Sequence, residues 1–203
     1  MSKDTRRGTG SAYHDCTERN CSDAAQADGA TARFYQGLVH LYCGEGKGKT
    51  TAAMGMAIRA LGRGKRVAVI QFSKDGTSGE VEQLRKLGAV VRAGNPDGRF
   101  LRELSGDERA ALRQRQTALL EDARSLDVDM LVLDEACFAA REDVVDEELL
   151  RATVCERPNH REIVITGRNP LPWMLDAADY ITEMRCIRHP YGRGIAAREG
   201  VEY

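Results

Sequence analysis

The sequence has no excess charge of either sign, no long apolar run and no cysteine framework, and each absence removes a class of protein. Thirty Lys and Arg residues stand against 31 Asp and Glu, a net charge of -1. No global positive field therefore draws the chain to nucleic acid or to an anionic membrane, and neither is expected as a partner. No segment approaches the roughly 18 consecutive apolar residues of a membrane helix. The opening stretch "MSKDTRRGTGSAYHDC" has basic residues but no apolar core behind them, so a secretory signal is not expected and the cytoplasm is the expected compartment. The six cysteines (16, 21, 43, 137, 155 and 186) are scattered. In a reducing compartment they are expected to be thiols, several of them small core residues. His14, Cys16 and Cys21 fall close together in "HDCTERNC", but no second CxxC or HxxxH completes four ligands. A solvated tail is the favoured reading there, not a zinc site.

What is present is the material of one soluble domain: 203 residues, 42% hydrophobic and 30% charged. Residues 1–36 open with a stretch rich in Ser, Thr, Asp, Arg and Gly that has too little apolar surface to offset the entropy of ordering, and they are expected to form a flexible arm. From Gly37 the texture changes. Short apolar runs at 38–43, 65–72, 89–94, 129–136, 161–168 and 181–189 read as strands. Between them, 49–62, 80–88, 106–125, 146–156 and 172–180 read as helices. The strand runs are continuously apolar, as in a parallel sheet covered on both faces. The expected fold is one α/β domain over residues 37–203.

"GEGKGKTT", Gly44 to Thr51, lies between the first strand and the first helix. A phosphate-binding loop needs glycines because backbone N–H groups must close around phosphate oxygens where a Cβ would intrude. It also needs a Lys to reach the phosphates and a hydroxyl for Mg²⁺. The usual pattern is G-x-x-x-x-G-K-[ST]; here Cys43 replaces its first glycine and the match ends on Gly48-Lys49-Thr50. A second half of such a site is an acid at the end of a neighbouring strand. "MLVLDEA" supplies Asp134 and Glu135, a metal- and water-ordering pair. Nucleotide binding with Mg²⁺ follows. The chemistry stays open on these grounds: the Asn-Lys-x-Asp base-reading motif of a GTPase is missing, but composition does not decide between phosphate hydrolysis and phosphate transfer.

Four stretches narrow it. "LVHLYCGEGKGKTTAAMGMAIRALGRGKRVAVIQFSK" (38–74), "DMLVLDEA" (129–136), "RPNHREIVITGRN" (157–169) and "DAADYITEMRCIRHPYGRGIAAREGVEY" (176–203) together resemble the P-loop ATP:corrinoid adenosyltransferases. The resemblance implies a P-loop NTPase-like (RecA-like) fold, a mostly parallel sheet with helices on both faces. It implies that Co(I) of a reduced corrinoid, cob(I)alamin or a cobyrinic acid derivative, attacks the 5′ carbon of ATP and that the whole triphosphate leaves. Carried over residue by residue, Gly44, Glu45, Gly46, Lys47, Gly48, Lys49, Thr50 and Thr51 would form the nucleotide site. Thr50 and Glu135 would ligate Mg²⁺ or Mn²⁺, with Asp134 beside them. Lys49, Glu135 and Arg168 of "TGRN" would be the catalytic set.

The family has Thr or Ser in place of Cys43, and carries aromatic pairs that displace the lower ligand of the corrin. Here the corresponding stretch is "GRFLREL", in which Phe100 is either a corrin wedge or plain core. The family's corrin-covering amino-terminal segment has no recognisable match in residues 1–33. A homodimer and a reductant such as a flavoprotein are implied by the resemblance alone. The rival readings are a P-loop ATPase or small-molecule kinase, and a non-catalytic ATP- or corrinoid-binding module.

Overall fold

The computed structural model describes residues 36–203. The expected arm, with His14, Cys16 and Cys21, lies outside the described residues except for Gln36. Six strands form one all-parallel sheet: β1 (Val39–Cys43), β2 (Val67–Gln71), β3 (Val90–Ala93), β4 (Met130–Asp134), β5 (Glu162–Thr166) and β6 (Tyr180–Glu183), in the order β3-β2-β4-β5-β1-β6. The helices are α1 (Lys49–Leu61), α2 (Gly79–Lys86), α3 (Gly106–Ser125), α4 (Ala136–Arg141), α5 (Glu147–Cys155) and α6 (Pro172–Ala177).

Successive side chains of a strand point to opposite faces, so the sheet builds two cores. Val67, Val69, Met130, Val132 and Val164 pack with Ala53, Met54 and Ala57 of α1 and Val81 and Leu84 of α2. The intervening Ala68, Ile70, Leu131, Leu133, Ile163 and Ile165 pack on the other face against α3–α6. Strands β2, β4 and β5 are buried at every residue, and apart from their polar ends their sequences are continuously apolar. This is the doubly covered α/β fold expected from the sequence. Cys43 and Cys137 are buried thiols; Cys155 and Cys186 are exposed.

Three differences from the sequence reading have local causes. The last strand stops at Glu183 instead of reaching 189. Beyond it the chain leaves the sheet edge, and Met184 donates to Cys43 O at the end of β1 and accepts from Gly46 N of the loop that follows. Helix α6 ends at Ala177, not 180, because Asp179 turns back to bond Val39 through both its backbone and its carboxylate. Helix α4 was not expected; six residues are too few to show a helical period.

The carboxyl end of α3 is closed from a distance. The buried Arg161 guanidinium donates to the carbonyls of Val128, Arg124 and Leu126. Burial holds its pKa below the ordinary arginine value. Arg161→Met keeps most of the bulk but leaves three carbonyls without this donor. It should destabilise the fold by about 2–4 kcal/mol, seen as a lower urea midpoint with an unchanged slope.

Candidate active site

In a parallel sheet the carboxyl ends of all strands face one side, and the loops there make the site. Residues 44–48 leave β1 and run into α1. Gly44 has φ +96°, and a Cβ there would fall 2.6 Å from the Met184 carbonyl oxygen, so only glycine fits. The same carbonyl accepts the Gly46 N–H at 2.6 Å. Gly48, at φ +115°, is the left-handed residue that caps α1. Lys49 folds back under the loop and donates to Gly44 O at 2.8 Å and Gly46 O at 2.7 Å. Its side chain is buried, and desolvation lowers its pKa, with the Arg168 charge acting in the same direction and Glu135 and Glu45 opposing.

Strand β5 lies between β1 and β4, so the acid of β4 reaches the loop past a strand that contributes to the site itself. Asp134 is fully buried. Its Oδ1 accepts from Thr50 Oγ1 at 2.9 Å and from Thr166 Oγ1 at 2.7 Å. Its Oδ2 accepts from Lys74 Nζ at 2.6 Å and from Gln71 Nε2 at 3.3 Å. Lys74 also donates to Thr50 Oγ1 at 3.1 Å. The acid bonded directly to Thr50 is therefore Asp134, the neighbour of Glu135. Glu135 is the next residue, in the left-handed conformation at φ +61°, its N–H held by Thr166 Oγ1 at 2.9 Å. Burial raises the Glu135 pKa and the Asp134 charge adds to it, while Lys74, Lys49 and Arg168 act the other way.

The other expected residues fall around this centre. Arg168 follows β5 and pairs with Glu45 of the loop at 3.2 Å, both largely exposed. Lys47 is bonded to the carboxyl-terminal tail, to Glu202 Oε1 at 2.8 Å and Val201 O at 3.2 Å. Thr50 and Thr51 line a cavity of about 930 Å³ together with Met54, Ile58, Lys74 and Tyr203. Phe100 stands apart. It is 64% exposed, with the Arg102 guanidinium 4.8 Å from its ring centroid, which rules out the plain-core alternative. Lys74, Thr166, Gln71 and the tail were missed by sequence reasoning. The sequence holds one usable signal: Gln71 and Lys74, like Thr166, sit at or just beyond the carboxyl end of a strand.

Thr50, Asp134 and Glu135 could hold a divalent cation, a hydroxyl and two carboxylates of hard oxygen chemistry. Among the described residues no group of three or more His, Cys, Asp or Glu side chains forms a full protein cage. That donor set suits Mg²⁺, which retains waters and substrate phosphates as ligands.

Residues 35–203 match the family described as ATP:corrinoid adenosyltransferase BtuR/CobO/CobP. The chain belongs to this family. Corrinoid adenosyltransferase CobA of Salmonella typhimurium (strain LT2) is 35% identical over 191 residues, 92% of this chain and 95% of the relative. The corrinoid adenosyltransferase of Pseudomonas aeruginosa (strain PAO1) is 35% identical over 178 residues, 86% of this chain and 87% of its own length. That of Escherichia coli (strain K12) is 32% identical, with coverage of 92% and 95%. Among the described residues no helix is long and apolar enough to cross a membrane.

The raised Glu135 pKa has a consequence for stability. A carboxyl whose pKa is higher in the folded state favours folding when protonated, so its ionisation costs stability as pH rises above the ordinary glutamate range. Glu135→Gln should raise the melting temperature of the ligand-free protein at pH 8. The gain should shrink towards zero below about pH 4, where both states of the wild type are protonated. An equal gain at both pH values would contradict the assignment.

Proposed function

We propose that the chain transfers the 5′-deoxyadenosyl group of ATP to the Co(I) centre of a reduced corrinoid and releases tripolyphosphate. The observation that supports this reading most strongly is the phosphate loop with its buried Lys49, set beside the Thr50–Asp134 pair, in a member of this family. The cobalt electron pair forms the Co–C5′ bond, and the C5′–O5′ pair departs with the triphosphate. No group on the protein has to generate the nucleophile, since Co(I) already carries its lone pair. What the protein must supply is stabilisation of charge building on the leaving group.

The backbone N–H groups of Gly44–Thr50 and the Lys49 ammonium are suited to that task, with Glu45, Lys47 and Thr51 around them. In this reading Lys49 exchanges its two loop carbonyls for phosphate oxygens. Arg168, already drawn to the loop by Glu45, adds positive charge at its edge. Thr50 and Glu135 ligate Mg²⁺ (or Mn²⁺), and Asp134 orients Thr50 through its hydrogen bond. When bound, the ion neutralises part of the triphosphate charge as the bond opens. Phe100, exposed on the segment before α3, is available to a corrin face. The same reading carries a cytoplasmic homodimer and a reductant such as a flavoprotein.

Lys49→Ala removes one donor aimed at the leaving group. Under anaerobic conditions with ATP and chemically reduced cobalamin, the rate of Co–C bond formation, followed by absorbance, should fall on the order of 10²–10³-fold. The far-ultraviolet dichroism should be unchanged. A rate within a factor of about three of wild type would contradict the phosphate assignment.

A further inference from the structure

No sequence motif marks Lys74, yet its ammonium sits at the centre of the polar network. It lies 2.6 Å from Asp134 Oδ2 and 3.1 Å from Thr50 Oγ1, between the acid of β4 and the hydroxyl of α1. Those oxygens are the hydroxyl proposed to ligate the ion and the carboxylate that orients it. A buried carboxylate at 0% exposure needs a positive partner, and Lys74 provides one on a side chain that is itself 28% exposed and lines the 930 Å³ cavity. Two cations cannot share this position: an ammonium within hydrogen-bond distance of both oxygens excludes, by volume and by charge, an ion that binds there.

We propose that Lys74 is an exchangeable internal cation. Its ammonium neutralises Asp134 until a divalent ion arrives with the nucleotide, and then moves from Asp134 to the phosphate chain in the adjoining cavity. This rests on the metal and ATP assignments made above. It adds a specificity function: the metal alone binds weakly because it must displace Lys74, and the metal-free nucleotide binds weakly because Lys74 stays engaged with Asp134. Only the metal–nucleotide complex satisfies both groups. Lys74 thus couples the two ligands and is a binding residue for the triphosphate, with no part in bond making.

The test measures binding, not turnover. Mn²⁺ affinity without nucleotide is read by the electron paramagnetic resonance of free Mn²⁺, in wild type, Lys74→Met and Lys74→Gln. ATP affinity is read by calorimetry with Mg²⁺ and again with a chelator. Removing the competing charge should tighten Mn²⁺ binding on the order of tenfold or more in both variants. In the same variants, affinity for ATP with Mg²⁺ should fall on the order of tenfold, while affinity for metal-free ATP stays within about twofold. Lys74→Gln retains a hydrogen-bond donor for Asp134, so it keeps the test valid if Lys74→Met does not fold. Unchanged or weaker Mn²⁺ binding in a cooperatively folded variant overturns the exchange. So does an equal loss of ATP affinity with and without metal, the outcome of a merely structural lysine. If wild type binds Mn²⁺ neither alone nor with ATP, the metal assignment falls and the exchange with it. If Mn²⁺ binds but ATP does not, the nucleotide reading fails separately.

Discussion

The site depends on one buried carboxylate. Asp134 ends β4 with no exposure to solvent, and four donors from four parts of the chain converge on it: Thr50 of α1, Gln71 of β2, Lys74 beyond β2, and Thr166 of β5. An unpartnered charge in such a position would cost several kcal/mol, so each donor is constrained to its place. The carboxylate thereby fixes the start of α1 relative to three strands of the sheet. Thr166 extends the constraint by holding the Glu135 N–H, which keeps the next acid in its left-handed turn. The parallel sheet makes the convergence possible, because the carboxyl ends of β2, β4, β5 and β1 all open on one side.

The phosphate loop is bounded by less costly contacts. Its Gly44 and Gly46 meet the backbone just after β6, and its Lys47 meets Glu202 and Val201 of the tail. Ion pairs as exposed as Lys47–Glu202 and Arg168–Glu45 contribute little stability. Their consequence is positional: they set charged groups around the loop in arrangements that an anionic ligand can rearrange at low cost. The structure therefore combines a buried acid centre held by four donors with a loop whose outer ion pairs are exposed.

Much of this was legible in the sequence, where local signals were strong. The phosphate loop is contiguous, so its glycines, Lys49 and Thr50 declare themselves in eight residues. The sequence predicts helix α3 at 106–125 and it runs Gly106–Ser125, because Ser105 and Glu108 form a reciprocal cap that fixes its start. The buried strands were legible as apolar runs, although frayed ends moved by a residue or two. What failed was long-range. Thr166 looks like an ordinary strand residue in "EIVIT" until the sheet order brings it to Asp134. Lys74 reads as a loop lysine, since its partner lies 60 residues away. The different settings of the adjacent Asp134 and Glu135 depend on the left-handed conformation of Glu135. No periodicity announces that conformation in a glutamate.

If the loop grips a leaving triphosphate, the C5′–O5′ bond is the one broken. Phosphorus NMR of the spent reaction tests this directly, with ATP, Mg²⁺ and chemically reduced corrinoid under anaerobic conditions. One equivalent of intact tripolyphosphate is expected for each equivalent of adenosylated corrinoid, formed at the same rate, with little ADP. ADP and inorganic phosphate appearing at the catalytic rate, with no cobalt–carbon bond formed, would contradict this and indicate attack at phosphorus instead.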